Sequence, residues 1–267
     1  MPAIRYECCP KCRHAPLPLD QSLPAACPAC GLILAKFAAA AAAQDDPASS
    51  GGLDTSEGFE EVEAVGRWQQ LRHSICEAVR YVPPHVTSVA FWGRTALLLA
   101  VILWGLRLIW MDYRTGEFGS SFLHGPLLVF HEAGHVIFRP FGEFMTVLGG
   151  TLGQLLMPAI MAGALLLRNR DPFGAAMGTW LFGVSVLDVA PYLYDALHPQ
   201  LILLGGSTGE EGGHDWIYLL SETGLLSRAQ SLGSFTHAVG ALIVLLSLGW
   251  AAWILLQQKS RIADTAT

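Results

Sequence analysis

The sequence predicts an all-α polytopic membrane protein with a small metal-stabilised module at its N-terminus. Of its 267 residues, 52% are hydrophobic and only 14% are charged, and the mean hydropathy is +0.41. This composition is too apolar for an ordinary water-soluble domain. Several long apolar stretches account for it, and five of the six cysteines lie within the first 30 residues. We therefore expect a helical membrane domain that follows a cysteine-rich module.

Residues 1–36 carry two Cys-x-x-Cys pairs with the spacing of a zinc ribbon. The pairs, fourteen residues apart, are Cys9 with Cys12 and Cys27 with Cys30. Four thiolates complete the tetrahedral coordination of zinc and leave no open position, so the predicted zinc ion is structural. Cys8 could replace Cys9 in this set. Thiolate ligation implies a reducing compartment, which predicts a cytoplasmic N-terminus, and the module could also bind a protein partner.

Two segments connect this module to the membrane domain. Residues 37–56 predict a flexible linker, because alanine, serine, glycine and acidic residues leave little apolar surface to bury. Residues 57–82 have apolar side chains at helical spacing with arginines beside them, which predicts an amphipathic juxtamembrane helix. The net charge of −6 argues against nucleic acid as a partner.

Residues 83–258 form the predicted membrane domain, and 259–267 a polar tail. Five apolar segments within it are candidate spans: 89–110, 121–138, 151–167, 173–194 and 236–256. Basic residues precede the first segment and follow the third and the fifth, and alternation of five spans cannot place all three in the cytoplasm. The conflict disappears if residues 140–167 do not cross fully, for example as a re-entrant segment that Gly149, Gly150 and Gly153 hold beside a cavity. The expected location is the plasma (inner) membrane, with the lipid bilayer as surrounding partner.

The second apolar segment contains the motif His131-Glu132-Ala133-Gly134-His135. Side chains four residues apart lie on one face of a helix, so both imidazoles can bind one metal ion while the glutamate acts as general base on water. Two hydrogen-bonded histidines would explain the same residues without a metal. Three ionisable groups within five residues are costly in lipid, however, unless they share a partner such as a metal ion. We therefore predict a catalytic zinc site with His131 and His135 as ligands and Glu132 as the base.

A catalytic zinc ion usually has three protein ligands, and two segments could supply the third. Asp188 lies in the middle of the fourth apolar segment, where a carboxylate requires a partner. The alternative is His214 or Asp215, which follow two glycines in a long polar loop. We expect Asp188, because a carboxylate at membrane depth is the harder feature to explain otherwise. Gln154 is expected to bond at a helix interface, and His124 to be an interfacial histidine.

These motifs resemble those of the site-two protease family of intramembrane zinc metalloproteases. That family has HExxH in one membrane helix and an aspartate within an LDG-type motif in a later one. Residues 131–135 match the first motif fully, and Leu187-Asp188 matches part of the second, with Val189 in place of its glycine. The resemblance covers residues 121–195. It implies that the two histidines and Asp188 bind zinc and that the enzyme hydrolyses peptide bonds of membrane-embedded or membrane-proximal substrates.

A second function fits the same residues. A membrane metal-binding protein without proteolytic activity, such as a sensor, a scaffold or a transporter accessory, could hold zinc on the two histidines without a productive base. The role of Glu132 distinguishes the two functions, because only hydrolysis requires it.

Overall fold

A computed structural model describes residues 6–21, 25–36, 72–83 and 86–264, with only the backbone for 260–264. These residues belong to two compact units, whose boundary follows Gly66. The predicted linker 37–56 and most of the predicted juxtamembrane helix lie outside the described residues, and residues 72–80 of that helix are helical. Within the described ranges every regular element is a helix, and β-pairing is limited to two isolated bridges.

In the first unit, the two Cys-x-x-Cys segments fold into two similar turns. The N–H of Arg13 donates to the carbonyl of Cys9, and the N–H of Gly31 donates to the carbonyl of Cys27, each at 2.8 Å. Each turn ends in a left-handed residue, with φ of 58° at Arg13 and 72° at Gly31. This conformation costs about 1 kcal/mol or more for a residue with a side chain and little for glycine. The two turns thus present their cysteines to each other in equivalent ways.

Four helices of the second unit are long and apolar enough to cross a membrane, judged over the described residues. They are α1 (Ser88–Trp110), α3 (Glu143–Gly163, extended by a π-helical turn to Arg168), α4 (Pro172–Asp195) and α6 (Ala229–Asp264). Two shorter helices are α2 (His124–Phe138) and α5 (Asp215–Glu222). A crossing requires about 20 residues, and α2, which carries the His-Glu-x-x-His motif, has 15. A helical membrane domain is therefore confirmed, with four candidate spans where the sequence predicted about five apolar segments.

The central element of this domain is α4. In its most apolar window, 72% of the residues are buried, compared with 22% in α1 and in α3. It packs on α6 on one side and on α3 on the other. The helix α1 packs on both α6 and α4, and α2 packs on α3. Gly183 of α4 lies against Val244 of α6, and Tyr194 of α4 lies against Gly233 of α6, so these two helices are antiparallel.

The three basic flanks of the membrane domain lie at the same end. Gly178 of α4 faces Ala162 of α3, and Ser185 of α4 bonds to Gln154 of α3, so these helices are also antiparallel. An ion pair of 3.4 Å between Arg94 and Asp171 brings the beginning of α1 to the beginning of α4. The beginnings of α1 and α4 and the ends of α3 and α6 therefore share one end of the domain. Arg170 follows α3 and its π-helical turn there, Arg168 ends that turn, and Arg94 and Lys259 lie inside α1 and α6 near the same end.

The expectation that residues 140–167 form a re-entrant segment is wrong, because residues 143–163 form one continuous helix. Gly149, Gly150 and Gly153 lie inside the continuous helix α3, and the element too short to cross is α2. These glycines let the backbones of α2 and α3 approach each other closely and do not break the helix. A Cβ atom added at Gly153 would lie 2.5 Å from the carbonyl oxygen of Phe130, and one added at Gly134 would collide with the carbonyl of Gly149. With α2 omitted, alternation of the four remaining helices accounts for all three basic flanks.

A methyl group at Gly134 should force α2 and α3 apart. Overpacking of a close contact typically costs about 1–3 kcal/mol, so Gly134→Ala should clearly lower the thermal unfolding temperature of the detergent-solubilised protein. Gly125→Ala is a matched control on the same helix, because a Cβ atom there meets nothing within 4 Å. Equal unfolding temperatures for the two variants would contradict the close packing of α2 on α3.

Candidate metal centres

The two motif histidines lie one turn apart on the face of α2 that packs against α3. Their ring centroids are 4.8 Å apart, and one ligand atom from each of His131, Glu132 and His135 lies within 4.8 Å of the others. Gly150 of α3 provides the space for both rings. A Cβ atom added there would lie 2.6 Å from Nε2 of His131 and from Nε2 of His135. A side chain at this position would therefore displace the histidine pair.

Each histidine of the pair has its Nδ1 atom turned towards a carbonyl oxygen. Nδ1 of His131 is 3.3 Å from Oε1 of Gln154, and Nδ1 of His135 is 2.8 Å from the backbone oxygen of Thr146. Carbonyl oxygens only accept, so each Nδ1 must carry the hydrogen and donate it. Nε2 of each ring faces the carboxylate of Asp215, which also only accepts, so this position requires either a hydrogen or a metal ion. With a metal ion there, the rings are neutral, and Nδ1 keeps its hydrogen while the Nε2 lone pair is the ligand.

Asp215, the first residue of α5, brings a carboxylate oxygen to both Nε2 atoms. Its Oδ2 is 2.9 Å from Nε2 of His131 and 3.3 Å from Nε2 of His135. The donor atoms of a tetrahedral zinc ion, each about 2.0–2.2 Å from the metal, lie roughly 3.3 Å from one another. The carboxylate oxygen thus lies from each Nε2 atom at about the spacing of two ligands of one zinc ion. These residues fit a metal ion.

Asp188, the third ligand expected from the sequence, lies one side chain away from the histidine pair. Its Oδ1 is 2.7 Å from Nδ1 of His124, and its Oδ2 accepts a hydrogen bond of 2.7 Å from Nε2 of Gln154. Hydrogen bonds connect it to His131 through the Gln154 amide. Because its carboxylate oxygen lies near both Nε2 atoms, Asp215 is the stronger candidate for the third ligand. The burial of Asp188 is explained by its bonds to two neighbouring side chains.

His214, the other alternative for the third ligand, holds the loop that carries Asp215. It is the N-cap residue of α5, and its Nδ1 accepts the N–H of Ile217 at 3.3 Å. Its buried ring lies 4.2 Å from that of Tyr192, and its Nε2 is 3.4 Å from Oδ2 of Asp195. The Tyr192 hydroxyl in turn accepts the N–H of Asp215 at 2.9 Å. These contacts fix the start of α5 beside the histidine pair.

Glu132 differs from its neighbours in being exposed, whereas His131 is buried. Its carboxylate therefore lies beside the candidate metal position on a side that another molecule can reach. A general base requires this access, because it must meet the water and the departing group of a substrate.

The four predicted ligands of the first unit also converge. The Sγ atoms of Cys9 and Cys30 are 3.6 Å apart, and those of Cys12 and Cys27 are 3.7 Å apart. Thiolates about 2.3 Å from a tetrahedral zinc ion lie roughly 3.8 Å from one another, so the cluster is compatible with a zinc ribbon. Burial raises the pKa of Cys9, but hydrogen bonds from the N–H groups of Cys12 and Lys11 outweigh it and lower the pKa to about 6. At Cys12 the backbone hydrogen bond with His14 lowers the pKa, but burial and hydrogen bonds with the other three thiols outweigh it and raise the pKa to about 12, so the thiolate form that binds metals is favoured at Cys9 and not at Cys12.

Comparison of the chain with protein-family models, with curated proteins and with solved structures finds no match. The functional argument therefore depends on the residues and their geometry.

The sequence interpretation missed two residues that support the histidine pair. Gly150 was considered only for the backbone of a re-entrant segment, and the carbonyl of Thr146 carries no signal in a sequence. Gly149 and Gly150, which lie opposite Gly134, were the available clue in the sequence, since small residues in two apolar helices indicate that the backbones approach closely.

We expect the full-length protein to bind two zinc ions. His131→Ala should leave one ion and Cys27→Ser should also leave one, because each removes a ligand from a different site. Metal analysis of detergent-purified protein measures this directly. His198→Ala, which changes an exposed loop histidine, is the control and should keep both ions. Two ions in His131→Ala would show that the histidine pair holds no metal.

Proposed function

We propose that the protein is an intramembrane zinc metalloprotease similar to site-two proteases. The observation that carries this proposal is the convergence of His131, His135 and Asp215 with the carboxylate of Glu132 beside them. Two neutral imidazoles and one carboxylate leave a coordination position open, as in catalytic zinc sites, whereas four thiolates do not.

The residues of the site have separate tasks in peptide hydrolysis. A bound zinc ion supplies a Lewis acid that polarises water and the substrate carbonyl. Glu132 removes a proton from the water as the new C–O bond forms, and it gives a proton to the amine as the C–N bond breaks. Gln154 and the carbonyl of Thr146 keep the two imidazoles in the ligand tautomer. Proton transfer by such a base typically contributes about 10²–10⁴-fold in rate.

The position of the site suggests where the substrate is cut. Gly150 lies near the beginning of α3, and Tyr192 lies near the end of α4, so the site is in the half of the domain opposite the basic flanks. The positive-inside rule assigns the basic end to the cytoplasm, which agrees with the cysteine module in a reducing compartment. The bond that is cut then lies in the non-cytoplasmic half of the plasma (inner) membrane. The substrate is a membrane-embedded or membrane-proximal segment of another protein.

The cysteine module has no part in this chemistry. Its four thiolates would hold a structural zinc ion, and its surface would bind a protein partner on the cytoplasmic side. The observation behind this role is the closed set of four converging sulfur atoms.

Glu132→Gln should abolish proteolysis and leave both zinc ions bound, because an amide cannot accept the proton. Cleavage is measured on single-span membrane peptides reconstituted in liposomes with the purified protein, and in cells by comparing membrane-derived peptides between parent and variant. Glu143→Gln is the control, since it neutralises an exposed acidic residue at the start of α3.

Two results would count against the proposal. Unchanged cleavage by Glu132→Gln would remove the assigned base. A parent protein that binds two zinc ions but yields no cleavage product in either assay would favour the non-proteolytic metal-binding alternative.

A further inference from the structure

We propose that Gln154, Asp188 and His124 form a hydrogen-bond network that fixes the orientation and tautomer of His131, and that zinc affinity depends on it. We call these three residues the Gln154 network. The inference rests on the proposed metal site and deepens it, because it assigns positioning roles to residues that do not touch the metal position.

The Gln154 network is continuous from the metal position to the far end of α2. From Nδ1 of His131 it passes over 3.3 Å to Oε1 of Gln154, then from Nε2 of Gln154 over 2.7 Å to Oδ2 of Asp188. From Oδ1 of Asp188 it passes over 2.7 Å to Nδ1 of His124. Gln154 and the side chain of Asp188 are each only 4% exposed. Water therefore competes little for the bonds of Gln154, whereas the side chain of His124 is 35% exposed.

Asp188 is the closer of two acceptors that determine which way the Gln154 amide points: Nε2 of Gln154 donates to Asp188 at 2.7 Å and to the backbone oxygen of Ser185 at 3.4 Å. A carboxylate only accepts hydrogen bonds, so the amide must turn its N–H group towards Asp188. The amide oxygen then faces Nδ1 of His131 and requires a hydrogen there. With that hydrogen on Nδ1, the Nε2 lone pair of His131 is available to a metal ion. The reverse orientation of the amide would place its oxygen against a carboxylate oxygen in a buried site, which is strongly unfavourable.

The carboxylate of Asp188 has a partner on each side, because His124 binds its second oxygen. The hydroxyl of Ser185 donates to the backbone oxygen of Gln154 at 3.0 Å and joins α3 to α4 beside the network. His124 and His131 both belong to α2, so the network leaves α2, passes through α3 and α4, and returns to α2.

The chemistry of an amide defines this role as positioning and not as proton transport. An amide nitrogen does not pass a proton on under ordinary conditions, so Gln154 interrupts any proton path from His124 to His131. It transmits orientation only. Loss of such an outer partner of a metal-binding histidine typically costs about 10–100-fold in metal affinity.

Replacement of Asp188 and its rescue at Gln154 test the inference. Asp188→Leu removes the closer of the two acceptors that orient the amide, and it should weaken the second zinc site at least about tenfold. Asp188→Leu combined with Gln154→Glu should restore the affinity to within about threefold of the parent. A carboxylate at 154 accepts the Nδ1 hydrogen with either oxygen, and it therefore needs no orienting partner.

The measurement is zinc affinity of the full-length protein by competition with chelators of graded strength. The second zinc site is the one that His131→Ala lacks. Absorption of the cobalt-substituted protein reports the ligand geometry independently of affinity. Thr151→Val is the matched control: Thr151 is buried on the same helix as Gln154, and its hydroxyl has no hydrogen-bond partner in the described part of the chain. It should bind zinc like the parent.

Three results would overturn the inference. Zinc binding by Asp188→Leu as tight as that of the parent would show that Asp188 does not orient the amide, and a double variant that stays as weak as Asp188→Leu would show that the loss has another cause. Complete loss of the second zinc in both would identify Asp188 as a direct ligand. If Asp188→Leu does not fold, Gln154→Leu and Gln154→Glu ask the same question, with loss expected in the first and retention in the second. A parent without a second zinc would contradict the proposed function itself, whereas the other results concern the Gln154 network alone.

Discussion

The close contact between α2 and α3 is the constraint on which the candidate site depends. Gly134 and Gly153 let the two backbones approach, and Gly150 leaves the space that the imidazoles of His131 and His135 occupy. Without side chains at these positions, a helix of only 15 residues can rest against a full span with both motif histidines turned towards it. The same contact brings Gln154 and the carbonyl of Thr146 to the histidines. Packing and chemistry therefore depend on the same glycines.

The second constraint is that polar groups at membrane depth must find partners within the protein. Three helices satisfy it jointly. α2 supplies His124 and His131, α3 supplies Gln154, and α4 supplies Asp188. Each bond of this set joins two different helices, so no helix can shift without breaking one. This explains why the fourth apolar segment tolerates a carboxylate in its middle.

The sequence predicted the parts of the protein that local patterns determine. The four cysteines and the motif histidines have fixed spacings, and the span predicted at 173–194 differs from α4 by one residue at each end. The partner of Asp188 could not be predicted, because it depends on which residues of other helices reach it. The same holds for Asp215, whose loop is placed by Tyr192 and by the pairing of His214 with Asp195. Helical periodicity also did not predict that α2 begins only at His124, three residues into the apolar segment 121–138.

The three ligand candidates differ in how they are held, and this has a consequence for the site. His131 and His135 belong to a helix packed against α3 and are in position without a metal ion. Asp215 begins a short helix at the end of a long loop, and its place depends on contacts with α4. A bound metal ion would join this loop to α2, so binding would stabilise the loop by the free energy of metal association.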